Sequence, residues 1–191
     1  RWMRDVLAVS LSKALRTMEG GLNLRNIMSR AITMGDEFHQ RNIAASALFL
    51  REISPALAAT GAPPEVFKFL GDTDQFFLNV AMAAGKVTVD SARKIREGTI
   101  VTTMSRNGHE FGIRVAATGD QWFTGPVSMP VGMYFSGYSQ EDANPDIGDS
   151  AICETCGWGG MAMAASPGVI RFVGAGGFAD TTRIALSSPV M

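Results

Sequence analysis

The hydrophobic period of the chain changes near Gly98. Upstream, apolar residues recur at helix spacing: Val6, Leu7, Leu11, Ala14, Leu15 and Met18 share one face, and Gly20-Gly21 ends the run. Downstream, residues 99–105 (TIVTTMS) and 110–116 (EFGIRVA) are β-branched runs flanking RNGH. Asn107-Gly108 is the pair preferred by a type I′ turn, so the spacing predicts a β-hairpin. The expected fold class is therefore α+β. An N-terminal helical domain spans 1–97, and an α+β domain with an antiparallel hairpin spans 98–191.

Punctuating residues divide the helical half. Asn23 caps a helix through Met34, Gly35 breaks it, and Asp36 caps the next helix to about Glu52. Ser54-Pro55 and Pro63-Pro64 each restart a short helix. Asp72 and Gln75 have capping-box spacing before FFLNVAMAAGKVTVDSARKI, which Gly98 closes. In the second half, WFTGPV and MYFSGY read as strands, with Pro126 and Pro130 placing them at an edge or bend. Residues 150–166 read as a small-residue helix, and VIRFVGAGG as a strand entering a glycine turn.

Composition narrows the function classes. With 46% hydrophobic and 18% charged residues, the 191-residue chain has the profile of a soluble protein with a sizeable core. A net charge of -1 argues against nucleic acid or an anionic membrane as partner, since both require a basic surface. No apolar run approaches the roughly 18 residues of a membrane span. Asp5, Ser10, Ser12 and Lys13 interrupt what would be a signal peptide. Two cysteines cannot form a disulfide framework, so a reducing cytoplasm is expected. A start at Arg1, without an initiator methionine, reads as a piece of a longer protein.

Polar chemistry concentrates in five stretches. In GDEFHQRN, a cap at Asp36 would put Asp36, His39 and Gln40 near one helix face. His39 would then be an acid/base or a substrate donor oriented by Asp36. The structural alternative makes Asp36 only a cap, Glu37–Arg41 a surface pair and His39 a satisfied core histidine. In TDQFFLN, Asn79 inside an apolar run is either a buried amide tying two helices or a ligand-recognition group. In SRNGHEFGIRV, Arg106 beside the turn can present its fork to an anion, whereas His109 reads as solvated. In QEDANPDIGDSAICETCGWGG, Asp149 is placed to cap the following helix. Gly157, Gly159 and Gly160 imply close approach by another segment or a ligand. Cys153 and Cys156 lack two further ligands at zinc spacing, so no metal is expected, and no cofactor. In VIRFVGAGG, Gly174, Gly176 and Gly177 can form a backbone nest for phosphate or carboxylate close to Arg171.

Together, ITMGDEFHQRNIAASAL, TDQFFLN, TMSRNGHEFGIRV, GYSQEDANPDIGDSAI and GVIRFVGAGG closely resemble the YlbE-like family, a domain of unknown function, over most of residues 1–177. After Phe178 the resemblance fades. The resemblance implies a subunit of an oxamate carbamoyltransferase in purine (allantoin) breakdown. That enzyme interconverts oxalurate plus phosphate with oxamate plus carbamoyl phosphate. The resemblance further implies an FdrA-like, acyl-CoA-synthetase-like partner subunit, and hence an oligomer. On that reading His39 and Asp36 are catalytic. Arg41, Arg106 and Gly174, Gly176 and Gly177 clamp the small anionic substrate, Asn79 and Asn107 donate to the carbonyl oxygen, and Asp149 joins the binding set. Two other classes remain open. One is a non-catalytic structural or regulatory subunit holding the FdrA-like protein, the other a metal hydrolase built on His39, Asp36 and the acidic stretch. They differ in whether GDEFHQRN, NPDIGDSAI and VGAGG converge on one pocket.

Overall fold

The computed structural model describes residues 1–131, 134, 136–166, 179 and 183. Its helical layer is built from five helices. A π-helical turn, Met3–Leu7, leads into α1 (Ala8–Thr17). The second helix, α2 (Leu24–Thr33), starts where the sequence predicts, with the Asn23 side chain accepting from the Asn26 N–H at 3.0 Å. The fourth, α4 (Pro64–Asp72), opens on Pro64 with its preset φ.

The third helix, α3 (Ile43–Ala59), differs from expectation at both ends. It starts at Ile43 rather than Asp36, because residues 36–42 form an irregular loop. It also runs through Pro55 rather than restarting there. Pro55 has no N–H to give to the preceding turn, and the Ser54 hydroxyl bonds the Leu50 carbonyl at 2.6 Å. Burial of Ala45, Leu48, Phe49, Ile53 and Leu57 along one face offsets the proline's cost and keeps the helix continuous.

The fifth helix, α5 (Phe76–Arg93), stops short of Gly98, and its predicted capping box does not form. Asp72 instead pairs with Lys68, and the Ser46 hydroxyl from α3 caps α5. That hydroxyl accepts from Phe77 N–H at 3.0 Å and donates to the Asp74 carbonyl at 2.8 Å. The core lies beneath these helices: Ile27, Ala31, Phe38, Phe49, Ile53, Leu57, Val66, Phe77 and Ala81 are almost wholly excluded from water. Phe38 stacks at a tilt on Phe77, ring centres 5.8 Å apart, and meets Trp158 edge-on at 6.0 Å.

The sheet is antiparallel, with order β3-β2-β1-β4. Its strands are β1 (Val101–Asn107), β2 (Glu110–Val115), β3 (Phe123–Pro126) and β4 (Ile147–Gly148). The predicted hairpin is present, one residue out of phase. Arg106 pairs with Phe111, which leaves Gly108-His109 as the loop, and only Gly108 has positive φ (83°). That is the pattern of a type II′ turn rather than I′. Asn107 remains at the strand end, its side-chain oxygen accepting from the His109 and Glu110 N–H groups at 2.9 and 2.6 Å.

Beyond β4 the predicted single helix at 150–166 is split into α6 (Ile152–Thr155) and a 3₁₀ turn, Gly159–Ala165. Gly157 and Gly159 sit at φ 81° and 63°, a backbone no helix continues through. α6 packs against both α5 and β1. Gly85 of α5 allows this, since a Cβ there would lie 2.7 Å from Cys156 Sγ. Of the predicted strand at 133–138, the described residues 134 and 136–138 form none, and VIRFVGAGG lies outside the described residues. Among the described residues no helix is long and apolar enough to cross a membrane.

Ser46→Ala should remove both sides of the α3–α5 tie and leave a buried N–H and a carbonyl unpaired. The expected loss is about 1–3 kcal/mol in denaturant unfolding, with an unchanged slope. The exposed Ser12→Ala serves as the neutral control.

Candidate functional site

The site is built on the loop between α2 and α3. Asp36 and Glu37 are 2% and 1% exposed, so their carboxylates need partners from the protein. Asp36 Oδ2 accepts from Ala45 N–H at 2.7 Å, in the first turn of α3. Glu37 Oε1 accepts from the Arg41 N–H at 2.5 Å and from the Gln40 N–H. Glu37 is thus no surface partner of Arg41 but the pin of a tight turn. Phe38 lies between them at φ 68°, its ring in the core and its N–H on the Arg41 carbonyl at 3.1 Å. Asn42, fully buried, donates to Gln75 Oε1 at 3.0 Å, and Gln75 returns a bond to the Gln40 carbonyl at 2.9 Å. Gln75, read from sequence as a cap, therefore ties this loop to α5.

The loop also anchors the segment that follows β4. The Gly159 N–H donates to the Glu37 carbonyl at 2.6 Å, and the Ser166 hydroxyl to the Asp36 carbonyl at 2.6 Å. His39 consequently faces residues 150–160. Its Nδ1 is 2.7 Å from Glu154 Oε1, and its Nε2 is 2.7 Å from Ser150 Oγ. The orienting carboxylate is Glu154, not Asp36, which is committed to α3. Glu154 Oε1 also takes the Gly160 N–H at 3.1 Å. A Cβ at Gly159 would collide with the Glu154 carboxylate and come within 3.2 Å of His39 Cβ. Of the close approach expected at Gly157, Gly159 and Gly160, only that at Gly159 is present; a Cβ at either of the others would meet nothing within 4 Å.

Electrostatics follow from these contacts. The hydrogen bond to Glu154 raises the His39 pKa above its ordinary value against the opposing effect of burial; Glu154 and Glu37 add to the rise and Arg106 opposes it. Burial pushes the Asp36 and Glu37 carboxyls up, while their backbone N–H donors pull them back down. The Cys153 thiol is buried and pushed up to about 12, chiefly by desolvation, so it is a poor nucleophile. Among the described residues no group of three or more His, Cys, Asp or Glu is arranged to hold a metal ion.

The remaining candidates separate. Arg106, on β1, forms an ion pair with Asp146 at 2.9 Å, and its charge is felt by His39. Arg41 is half-buried and its charge acts on Asp36. Asn79 is exposed rather than buried, bonds the Phe76 carbonyl at 3.1 Å, and lines an apolar groove with Leu24, Met28, Val87 and Trp158. The Asn107 oxygen is used by the hairpin turn. Asp149 is exposed, and α6 has no side-chain cap; Asp149 meets it through its carbonyl, 3.1 Å from Ile152 N–H. Gly174, Gly176 and Gly177 lie outside the described residues. Ser150 and Glu154 were missed. Their one local signal was the glycine cluster beside them. Together with His39 they make a hydroxyl–imidazole–carboxylate relay, in which the carboxylate fixes a proton on Nδ1 and leaves Nε2 to exchange one with Ser150.

The His39 pKa is raised in the fold relative to the unfolded value of about 6.5, so the pair's stabilisation is fully present below about pH 6.5 and is lost as pH rises through the folded pKa. Unfolding free energy measured against pH for the protein and its Glu154→Gln variant should show a difference that is largest at the acid side of that window and shrinks above it. A pH-independent difference would mean that the pair carries no charge.

Comparison with known proteins places the chain. The family described as oxamate carbamoyltransferase subunit AllG matches residues 1–150. The chain is 59% identical over 181 residues to a protein of Escherichia coli (strain K12) named oxamate carbamoyltransferase subunit AllG, covering 93% of this chain and 43% of that protein. It is 44% identical over 177 residues to the uncharacterized protein YahG of the same organism, covering 91% and 37%. A crystal structure of a conserved protein of unknown function from Enterococcus faecalis V583 superposes with a TM-score of 0.87 at 45% identity, over 97% of this chain and 45% of that one. The chain spans less than half the length of each of these relatives. The length of the match and the level of identity show that the chain belongs to the family of the oxamate carbamoyltransferase subunit AllG.

Proposed function

We propose that this chain supplies the proton-transfer site of a carbamoyltransferase acting on oxamate, with His39 as the acid/base. The observation that carries this reading is the position of His39, whose two ring nitrogens each lie 2.7 Å from a partner, Glu154 on one side and Ser150 on the other. Carbamoyl transfer between phosphate and an amide nitrogen must remove a proton from that nitrogen in one direction and return it in the other. An imidazole held by a carboxylate does both. Arg106 stands close enough for its charge to act on His39, and would bind the phosphate or carboxylate of carbamoyl phosphate, oxamate or oxalurate. Asp36 supports the loop instead of acting on substrate, and Arg41, Asn79, Asn107, Asp149, Gly174, Gly176 and Gly177 are assigned lesser binding roles.

The fuller enzyme belongs, in this reading, to purine (allantoin) breakdown in the cytoplasm and works as an oligomer with an FdrA-like subunit. The helical part over 1–97 and the α+β part over 98–191 act as its two structural units. A second reading, a non-catalytic partner subunit, is favoured by one feature. The groove of about 760 Å³ walled by Leu24, Met28, Val80, Val87 and Trp158 is almost wholly apolar, and Val87 within it is 75% exposed.

The two readings part on His39→Ala in the full-length protein assembled with its partner. Loss of the acid/base should lower turnover at least about a hundredfold with assembly intact. A drop of only a few-fold removes His39 from that role and favours the partner-subunit reading.

A further inference from the structure

The Ser150 hydroxyl does more than acid–base chemistry at His39 requires. It sits two residues past Gly148, whose pairing with Arg106 joins β4 to β1. Gly148 has φ 151°. A Cβ built on it would lie 3.7 Å from Ser150 Oγ and 3.6 Å from Arg106 Nη2. The glycine thus leaves a space one methyl group wide between a hydroxyl and a guanidinium. Both bordering groups are held: the hydroxyl by His39 at 2.7 Å, the guanidinium by Asp146 at 2.9 Å. A hydroxyl bonded to an imidazole, itself bonded to a carboxylate, is the arrangement that activates serine as a nucleophile. A cation across a small gap is what an anionic donor or a developing oxyanion needs.

We propose that Ser150 is the nucleophile of this site and carries the carbamoyl group covalently as a carbamate ester, with Arg106 holding the anionic end of the donor. This rests on the carbamoyltransferase reading above. In the first half-reaction Ser150 Oγ attacks the carbonyl carbon of the donor and its proton passes to His39 Nε2. The bond from that carbon to the leaving group then breaks. A phosphate leaves with the electron pair and takes the proton as hydrogen phosphate; an amide nitrogen leaves with the same proton from His39. In the second half-reaction the acceptor attacks the carbamoyl carbon. A nitrogen acceptor gives a proton to His39, and Ser150 Oγ departs and recovers one. No oxidant, reductant or further reactant is required.

The test uses the full-length protein with its partner and a fluorophosphonate, a probe that labels activated serines whatever acyl group they normally carry. Ser150 should be labelled, as mapped by peptide mass. His39→Ala should slow labelling at least about a hundredfold, and Ser150→Ala should abolish it. Gly148→Ala, which puts a methyl group between Ser150 and Arg106 and strains the backbone at φ 151°, should also suppress it. Carbamoyl phosphate given to the unlabelled protein should add the mass of one carbamoyl group at Ser150. Ser150→Ala and Ser150→Cys guard against simple misfolding: both should melt close to the native protein, and only Ser150→Cys should retain a carbamoyl adduct. Failure of the probe to label Ser150, or a Ser150→Ala protein turning over within a few-fold of native, overturns the inference and leaves the His39 reading standing. Labelling by the probe without any carbamoyl adduct from carbamoyl phosphate overturns it together with the carbamoyl reading, because the serine is then active toward another acyl group.

Discussion

Two carboxylates set into an apolar helical layer determine the rest of the site. Asp36 and Glu37 lie in sequence where α2 has just ended, and both are almost completely buried. Burial of an unpartnered carboxylate costs far more than the net stability of a domain allows. Here the cost is offset by backbone N–H groups from Ala45, Gln40 and Arg41, and hydrogen bonds to a charged acceptor are among the stronger ones available. Satisfying them forces the chain into a tight turn with Phe38 at positive φ, a conformation costing about 1–3 kcal/mol for a bulky residue. The Phe38 ring recovers part of that through its contacts with Phe77 and Trp158. His39, next in sequence, is turned the other way.

The turn and the segment after β4 position each other. The Glu37 and Asp36 carbonyls hold Gly159 and Ser166, and the same segment returns Ser150 and Glu154 to the imidazole. Gly159 is required twice, for its φ of 63° and because any side chain would strike the Glu154 carboxylate. Gly85 does the same for α5 by admitting Cys156 and Trp158. The site therefore lies on elements fixed from three sides, α3, α5 and β1, although its residues come from loops and one turn of helix. Such support is what keeps a proton-transfer pair at hydrogen-bonding distance.

Local signals read well where one residue decides the outcome. Asn23 capped its helix, Pro64 opened another, and the β-branched runs around residue 108 formed a hairpin. They failed where a distant partner decided it. GDEFHQRN contains good helix formers with an i,i+4 Glu–Arg spacing, yet buried Glu37 claims the backbone N–H groups of its own turn, so the helix begins at Ile43. The Asp72–Gln75 capping box lost to Ser46, which lies on another helix. Pro55 did not break α3, because the packed face on either side outweighs one missing hydrogen bond. His39 was picked out by residue type and by a helix face that residues 36–42 do not form. Its partners stand 111 and 115 positions away, at Ser150 and Glu154, and no periodicity carries that distance. The glycines at 157, 159 and 160 signalled that something comes close without saying what.

The central claim is that His39 is held between a carboxylate and a hydroxyl and titrates as a member of that array. The most direct measurement is a ¹⁵N NMR titration of the His39 ring in the native protein and in Glu154→Gln. The account predicts a proton retained on Nδ1 in the neutral form and a pKa above the ordinary value of about 6.5. With Glu37 and Arg106 unchanged beside it, that pKa should fall on replacing Glu154. A ring that titrates near the free value, with its proton on Nε2 and no response to Glu154→Gln, would contradict it.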